Sequence, residues 1–300
     1  MPLELLRPHT KDLGGGFIVR RLLPALRRPA VGPFVFFDHF GPRTVLPDDA
    51  IDVRPHPHIG LATVTYLFDG AMQHHDSTGA FQRIEPGAIN WMTAGRGVVH
   101  SERRPADLAG RAFAQHGLQL WVALPADLED AEPSFQHVAA AALPGVPVGA
   151  ATVRVLVGCA WGQASPVVPC SPTLFADLLL PPGAVLDLPG PEAAAEQALY
   201  AVQGKVQVTI AGEAPAEVPE ARLALLPHDR ACTVQAGPAG ARAVLAGGAP
   251  LGHRHLWWNF VASDPARIER AAAAWEADAM GQVPGETERI PLPAVRWHRG

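Results

Sequence analysis

Apolar residues in this chain recur in short runs, alternating or continuous, and rarely at the three-to-four spacing of an amphipathic helix. Between Phe17 and about Leu124, the runs Phe34 to Phe37, Ala62 to Phe68 and Gly117 to Val122 are rich in β-branched and aromatic residues, which suit a pleated, half-buried surface. Turn chemistry separates them: Asp69-Gly70, Pro86-Gly87 and Gly95-Arg96-Gly97 supply the special backbone angles that tight turns need. Many short strands at this spacing predict a sandwich or barrel. After Pro133 to Ala150, a stretch of Ala, Pro and Gly with little strand pattern, the same style resumes in Val153 to Val157, Leu174 to Leu180, Tyr200 to Ile210 and Arg222 to Leu226. The expected organisation is two all-β domains, residues 1–140 and 141–300. One helix is expected over Ile268 to Met280, introduced by the capping and first-turn residues Ser263, Asp264 and Pro265.

The two halves look related. Tyr66 and Tyr200 each stand four residues before the glycine of a tight turn, Gly70 and Gly204, and a fixed offset is what a duplicated fold leaves behind.

Composition narrows the partners. A net charge of -5 leaves no basic excess with which to neutralise a phosphate backbone, so direct nucleic-acid binding is not expected. Cys159, Cys170 and Cys232 are odd in number and lack zinc-type spacing, which reads as reduced thiols in a cytoplasmic protein. No run approaches the ~20 apolar residues of a membrane span, and the first residues show no signal-like apolar stretch.

The candidate chemistry lies in two short motifs. Side chains two residues apart on a strand share a face, so His56 and His58 present two imidazoles together, and His100 and Glu102 present an imidazole and a carboxylate. If those strands are neighbours, four ligands converge on one divalent ion, and the nitrogen and oxygen set favours iron, manganese, nickel, copper or zinc over calcium or magnesium. His9, His39, His116, His137, His228, His253, His255 and His298 read as ordinary polar residues, while His74 and His75 fall on a predicted turn at the mouth of the site.

The run Arg54-Pro-His-Pro-His58, the turn Asp76-Ser-Thr-Gly79, Pro86-Gly87 and above all Trp91-Met-Thr-Ala-Gly-Arg-Gly-Val-Val-His-Ser-Glu102 resemble the pirin family of the cupin superfamily. Supporting runs are Phe37-Asp-His-Phe40, His116 to Val122, Leu256 to Val261 and Ile290-Pro-Leu-Pro293, so the resemblance covers nearly the whole chain. It implies a bicupin: two antiparallel jelly-roll β-barrels joined face to face, one metal in the N-terminal barrel, and a C-terminal helix. The ligand positions of the family fall on His56, His58, His100 and Glu102, and the implied metal is one iron(II) per chain. Ala62 departs from the glutamate found there in general cupins and many pirins. Carrying the histidine offsets over to Gly204 gives Gly190 and Glu192, so no second site is expected.

The implied activity is a dioxygenase acting on flavonol-like aromatics, of the quercetin 2,3-dioxygenase type. Glu102 would be ligand and catalytic proton acceptor, and Phe37, Phe40, Trp91 and Met92 the pocket walls. The rival expectation, from eukaryotic pirins, is a non-catalytic regulatory protein whose redox-active metal alters binding to protein partners.

Overall fold

Glycine and proline punctuate a chain of β-branched and aromatic runs, and the strands form between them. In the computed structural model, which describes residues 3–14 and 16–295, the chain divides into two compact units. One takes residues 11–19, 38–140 and 251–300, the other 1–10, 20–37 and 141–250.

The first unit is built on β1 (Phe34–Val45, entering the unit at Asp38), β2 (Val53–His58), β3 (Leu61–Asp69), β4 (Met72–Asp76), β5 (Phe81–Ile84), β6 (Ile89–Thr93), β7 (Val98–Arg103), β8 (Phe113–Ala123) and β9 (Ser134–Val138). One sheet has the order β2-β7-β4-β5. The other runs β9-β6-β3-β8-β1 and continues into the strands Ile18–Leu23 and His9–Asp12.

The second unit repeats the plan with β10 (Thr173–Leu180), β11 (Val185–Asp187), β12 (Glu196–Gln203), β13 (Val206–Ile210), β14 (Ala216–Val218), β15 (Leu223–Leu226), β16 (Cys232–Ala236) and β17 (Ala241–Gly248). Its smaller sheet is β11-β16-β13-β14, and its larger one contains β15-β12-β17-β10. Every one of these eight strands has its counterpart nine labels earlier, which is the duplicated cupin plan. Tyr66 and Tyr200 occupy corresponding places in β3 and β12, both fully buried. The glycines that follow them have φ of +88° at Gly70 and +72° at Gly204, and a Cβ at Gly70 would meet the Ala114 carbonyl oxygen at 2.3 Å. Only glycine fits there.

Two expectations need correcting. The units are not the contiguous halves 1–140 and 141–300, because strand Glu4–Leu6 pairs with β15 and residues 251–295 pack on the first unit. The stretch 133–150, expected to carry little strand pattern, nevertheless holds β9, a short 3₁₀ turn at Ala140–Ala142 and the strand Val146–Val148. Both strands lie at sheet edges, where proline and a weak alternation are tolerated.

The helix α1 (Pro265–Glu276) starts at the proline that the capping residues announced and stops short of the expected Met280. Asp264 accepts from the Ala266 amide at 2.9 Å, Pro265 opens the first turn, and Ile268, Ala271 and Trp275 are buried. The segment around it is tied down by one carboxylate. Glu129, fully buried, accepts from the Ser263 amide at 2.7 Å and its hydroxyl at 3.0 Å, and pairs with Arg267 at 3.1 Å and Arg254 at 3.5 Å. Buried charge is tolerable only when paired in this way. Further along, Glu286 accepts from Ser101 and Arg103 of β7, while the Ile290 amide donates to Pro55 of β2 at 2.8 Å.

Glu129→Ala leaves two guanidinium groups facing a hole. It should lower unfolding stability in urea by on the order of 3 kcal/mol and expose the chain beyond residue 250 to limited proteolysis. Wild-type stability in this variant would mean that the carboxylate does not anchor the segment.

Candidate metal centre

β7 pairs with β2 so that Val98, Val99 and His100 oppose His58, Pro57 and His56, and an extra residue at Arg54-Pro55 then sets Glu102 opposite Val53. Proline suits this bulge, since it has no amide proton to give to the ladder. On its other edge β7 pairs with β4, His100 opposite Asp76 and Glu102 opposite His74. Alternation therefore places His56, His58, His74, Asp76, His100 and Glu102 on one face of the smaller sheet. All six are between 0% and 9% exposed.

His56, His58 and His100 converge, one ring nitrogen of each lying within 4.8 Å of the others. Their outer nitrogens are engaged. His56 Nδ1 donates to the Arg54 carbonyl at 2.9 Å and His58 Nδ1 to the Asn259 carbonyl at 2.9 Å, which fixes Nδ1–H on both rings and leaves Nε2 with its lone pair. His100 Nε2 is buried without a hydrogen-bond partner among the described residues. A buried ring nitrogen without a partner is costly unless something occupies the space between the three rings, and three neutral imidazoles suit a divalent transition ion.

Electrostatics agree. Burial pushes His56 down to about 4 and, with help from the neighbouring imidazoles, holds His58 and His100 well below the usual histidine range. Histidines kept neutral are histidines kept as ligands. Burial alone pushes Glu102 up to about 7. Its carboxylate shares the histidine face but does not come within 4.8 Å of all three ligand nitrogens. The structure thus brings three of the four expected ligands into one cluster and sets the fourth beside it.

The wall of the site differs from expectation. Trp121 of β8 stands edge-on to His58, ring centroids 5.1 Å apart, and Phe135 of β9 stacks on His74 at 4.5 Å. Both lie in a cross-strand row with Thr63 and Met92, so Met92 keeps its place on the histidine side. Trp91 does not: next in sequence, it points to the opposite face, where its Nε1 donates to Thr93. Phe37 belongs to the second unit, packed edge-on against Tyr200 at 5.0 Å. Phe40 sits in an apolar cluster with Phe17, Leu67, Met72 and Ile84. Ala62 shares Trp91's face, so its departure from the cupin glutamate costs the histidine face nothing.

Elsewhere, His74 and His75 lie within strand β4, not on a turn. His39 and His116 are paired through their Nε2 atoms at 2.7 Å, His137 bonds Asn90, His228 is exposed, and His298 lies outside the described residues. In the second unit the equivalents of β2 and β7 are β11 and β16, so the counterparts of the histidines lie in Val185–Asp187 and Cys232–Ala236, not at Gly190 and Glu192. Leu186, Val206, Val208, Cys232 and Val234 fill that interior with apolar side chains.

Comparison with known proteins places these features in a family. The pirin pattern matches residues 16–122 and the pirin C-terminal cupin domain matches residues 175–281. A pirin-like protein of Caulobacter vibrioides is 41% identical over 94% of this chain and 96% of its own length. A crystal structure of a quercetin 2,3-dioxygenase from Acinetobacter baumannii superposes with a TM-score of 0.88 at 31% identity, covering 99% of this chain and 97% of that one. A second Acinetobacter baumannii structure of that name gives 0.82 at 25% identity, over 93% and 97%.

The shifted groups predict how the metal-free protein responds to pH. As pH falls below 6.5, unfolded histidines take up protons that His56, His58 and His100 refuse, so stability drops; His56 alone, held near 4, accounts for about 3 kcal/mol by pH 4. Glu102 works the other way between pH 7 and 4.5, gaining its proton earlier in the folded state. Three groups outweigh one, and urea melts of chelator-treated protein should show a net loss from about pH 6.5 to 4.5. A flat profile over that window would contradict the geometry. One equivalent of divalent metal at pH 7 should raise the melting temperature.

Proposed function

The chain belongs to the pirin family, and we propose that it is an iron-dependent oxidoreductase of the quercetin 2,3-dioxygenase type, acting on flavonol-like aromatics. The observation that carries this reading is the convergence of three buried imidazoles, their outer nitrogens locked and an inner one unpartnered, on an interior faced by aromatic side chains. The likeness to the Acinetobacter baumannii quercetin 2,3-dioxygenase over nearly the whole chain supports the substrate class.

His56, His58, His100 and Glu102 would hold the ion, which when bound supplies a Lewis-acidic and redox-active seat for a substrate oxygen and dioxygen. What the protein itself does is simpler. Trp121, Met92 and Phe135 offer an apolar surface that suits a flat ring and excludes water. Glu102, which lies opposite His74 on β4 and Val53 on β2 and two residues from His100, would take the proton of the 3-hydroxyl. The overall reaction consumes one flavonol and one dioxygen, cleaves two ring carbon–carbon bonds and releases the carbon between them as carbon monoxide. Both oxygen atoms of dioxygen remain in the ester product, so no external reductant is needed.

Glu102→Gln separates the roles of that residue, because an amide still offers a neutral oxygen but takes up no proton at neutral pH. Iron-loaded variant should admit the flavonol and lose turnover by roughly 10²–10⁴-fold, with iron content measured alongside. A wild-type rate would make Glu102 a ligand only. Iron-replete wild-type protein that yields no carbon monoxide from any flavonol under air would overturn the enzymatic reading and leave the regulatory one.

A further inference from the structure

His100 differs from the other two histidines of the cluster. Backbone carbonyls fix His56 and His58, but among the described residues no carbonyl is bonded to His100 Nδ1; that atom faces His74 Nδ1 at 3.4 Å. His74 is held on its far side by Asp76, Nε2 to Oδ2 at 2.8 Å, and its ring is pinned flat against Phe135 with an interplanar angle of 23°. Asp76 is itself immobile: its Oδ1 accepts from the Thr78 amide at 2.9 Å, the Thr78 hydroxyl at 2.6 Å and the Ala80 amide at 3.2 Å, and it is fully buried.

We propose that Asp76 and His74 form a positioning relay that sets the tautomer of His100 and aims its Nε2 lone pair at the metal. The proton bookkeeping follows from the chain of contacts. A carboxylate accepts only, so His74 carries its proton on Nε2 and gives it to Asp76. Its Nδ1 is then an acceptor, and the group facing it, His100 Nδ1, must carry the proton. That leaves His100 Nε2, which has no hydrogen-bond partner among the described residues, unprotonated, the state in which a ring nitrogen can bind a metal. The turn at Asp76 thus controls the third ligand through one intervening imidazole, as carboxylate–histidine partners tune metal ligands generally. His74 and Asp76 are positioning residues here and touch neither ion nor substrate.

The inference rests on the metal reading of the site, and its test keeps the two apart. Zinc serves as the probe, with affinity measured by competition against a chromophoric chelator. His74→Leu removes the acceptor and should weaken zinc binding about 10–100-fold. His74→Asn keeps an oxygen near the place of Nδ1 and should recover most of that loss. Nitrogen-15 imidazole spectra of the metal-free protein supply a readout that mere destabilisation does not move. Wild-type His100 should be the Nδ1–H tautomer, and His74→Leu should show a mixture while His56 and His58 stay unchanged. Equal zinc affinity in wild-type and Leu variants, or His100 protonated at Nε2 in the wild type, overturns the relay. Failure of wild-type protein to bind zinc overturns the metal reading beneath it.

Discussion

The constraint on which the rest depends is the cost of keeping six polar side chains inside an apolar barrel. Imidazoles and carboxylates removed from water must each find a partner or lose their charge. Five of the six have assigned partners, namely the Arg54 and Asn259 carbonyls, the His74–His100 contact and the Asp76 turn, while burial pushes Glu102 toward its neutral form. What is left after that accounting is three ring nitrogens close to one another, that of His100 buried without a hydrogen-bond partner among the described residues. A bound cation is the economical resolution, and burial already holds these histidines neutral, the state in which they can bind one.

The second unit is the control that evolution left in the same chain. Its strands repeat the order of the first, yet Leu186, Cys232 and Val234 stand on the strands that carry His56, His58 and His100 in the other copy. Filled with aliphatic side chains, that interior needs no ion and no locked tautomers. The fold therefore supplies a scaffold, and the candidate metal site is set by what occupies one face of one small sheet. The last segment of the chain braces that sheet as well, through the Asn259 carbonyl on His58, Glu286 on the Ser101 and Arg103 side of β7, and Ile290 on β2.

Much of this was legible in the sequence because strands have a period of two. His56 with His58, and His100 with Glu102, announce a shared face without any knowledge of topology, and Tyr66 and Tyr200 announce the repeat. The same period gives His74 and Asp76, but Asp76-Ser77-Thr78-Gly79 is so strong a turn signal that it masked the strand just before it. The pocket walls failed for another reason. Neighbouring residues on a strand point to opposite faces, so Trp91 and Met92 could not both line the site, and only the register with Trp121 and Phe135 tells which does. Phe37 was lost because β1 passes from one unit to the other beyond it. Asn259 acts on His58 from 201 positions away through a backbone atom, a contact that leaves no trace in residue type.

The central claim is that His56, His58 and His100 turn their Nδ1 atoms outward and meet one ion through Nε2, with Glu102 completing the set. Anomalous diffraction from crystals of the full chain grown with iron(II) under anaerobic conditions tests it directly. The account predicts one anomalous peak per chain, about 2.0–2.2 Å from the three Nε2 atoms and a Glu102 oxygen, and none in the second unit. A peak elsewhere, coordination through Nδ1, or no metal at the three histidines would contradict it.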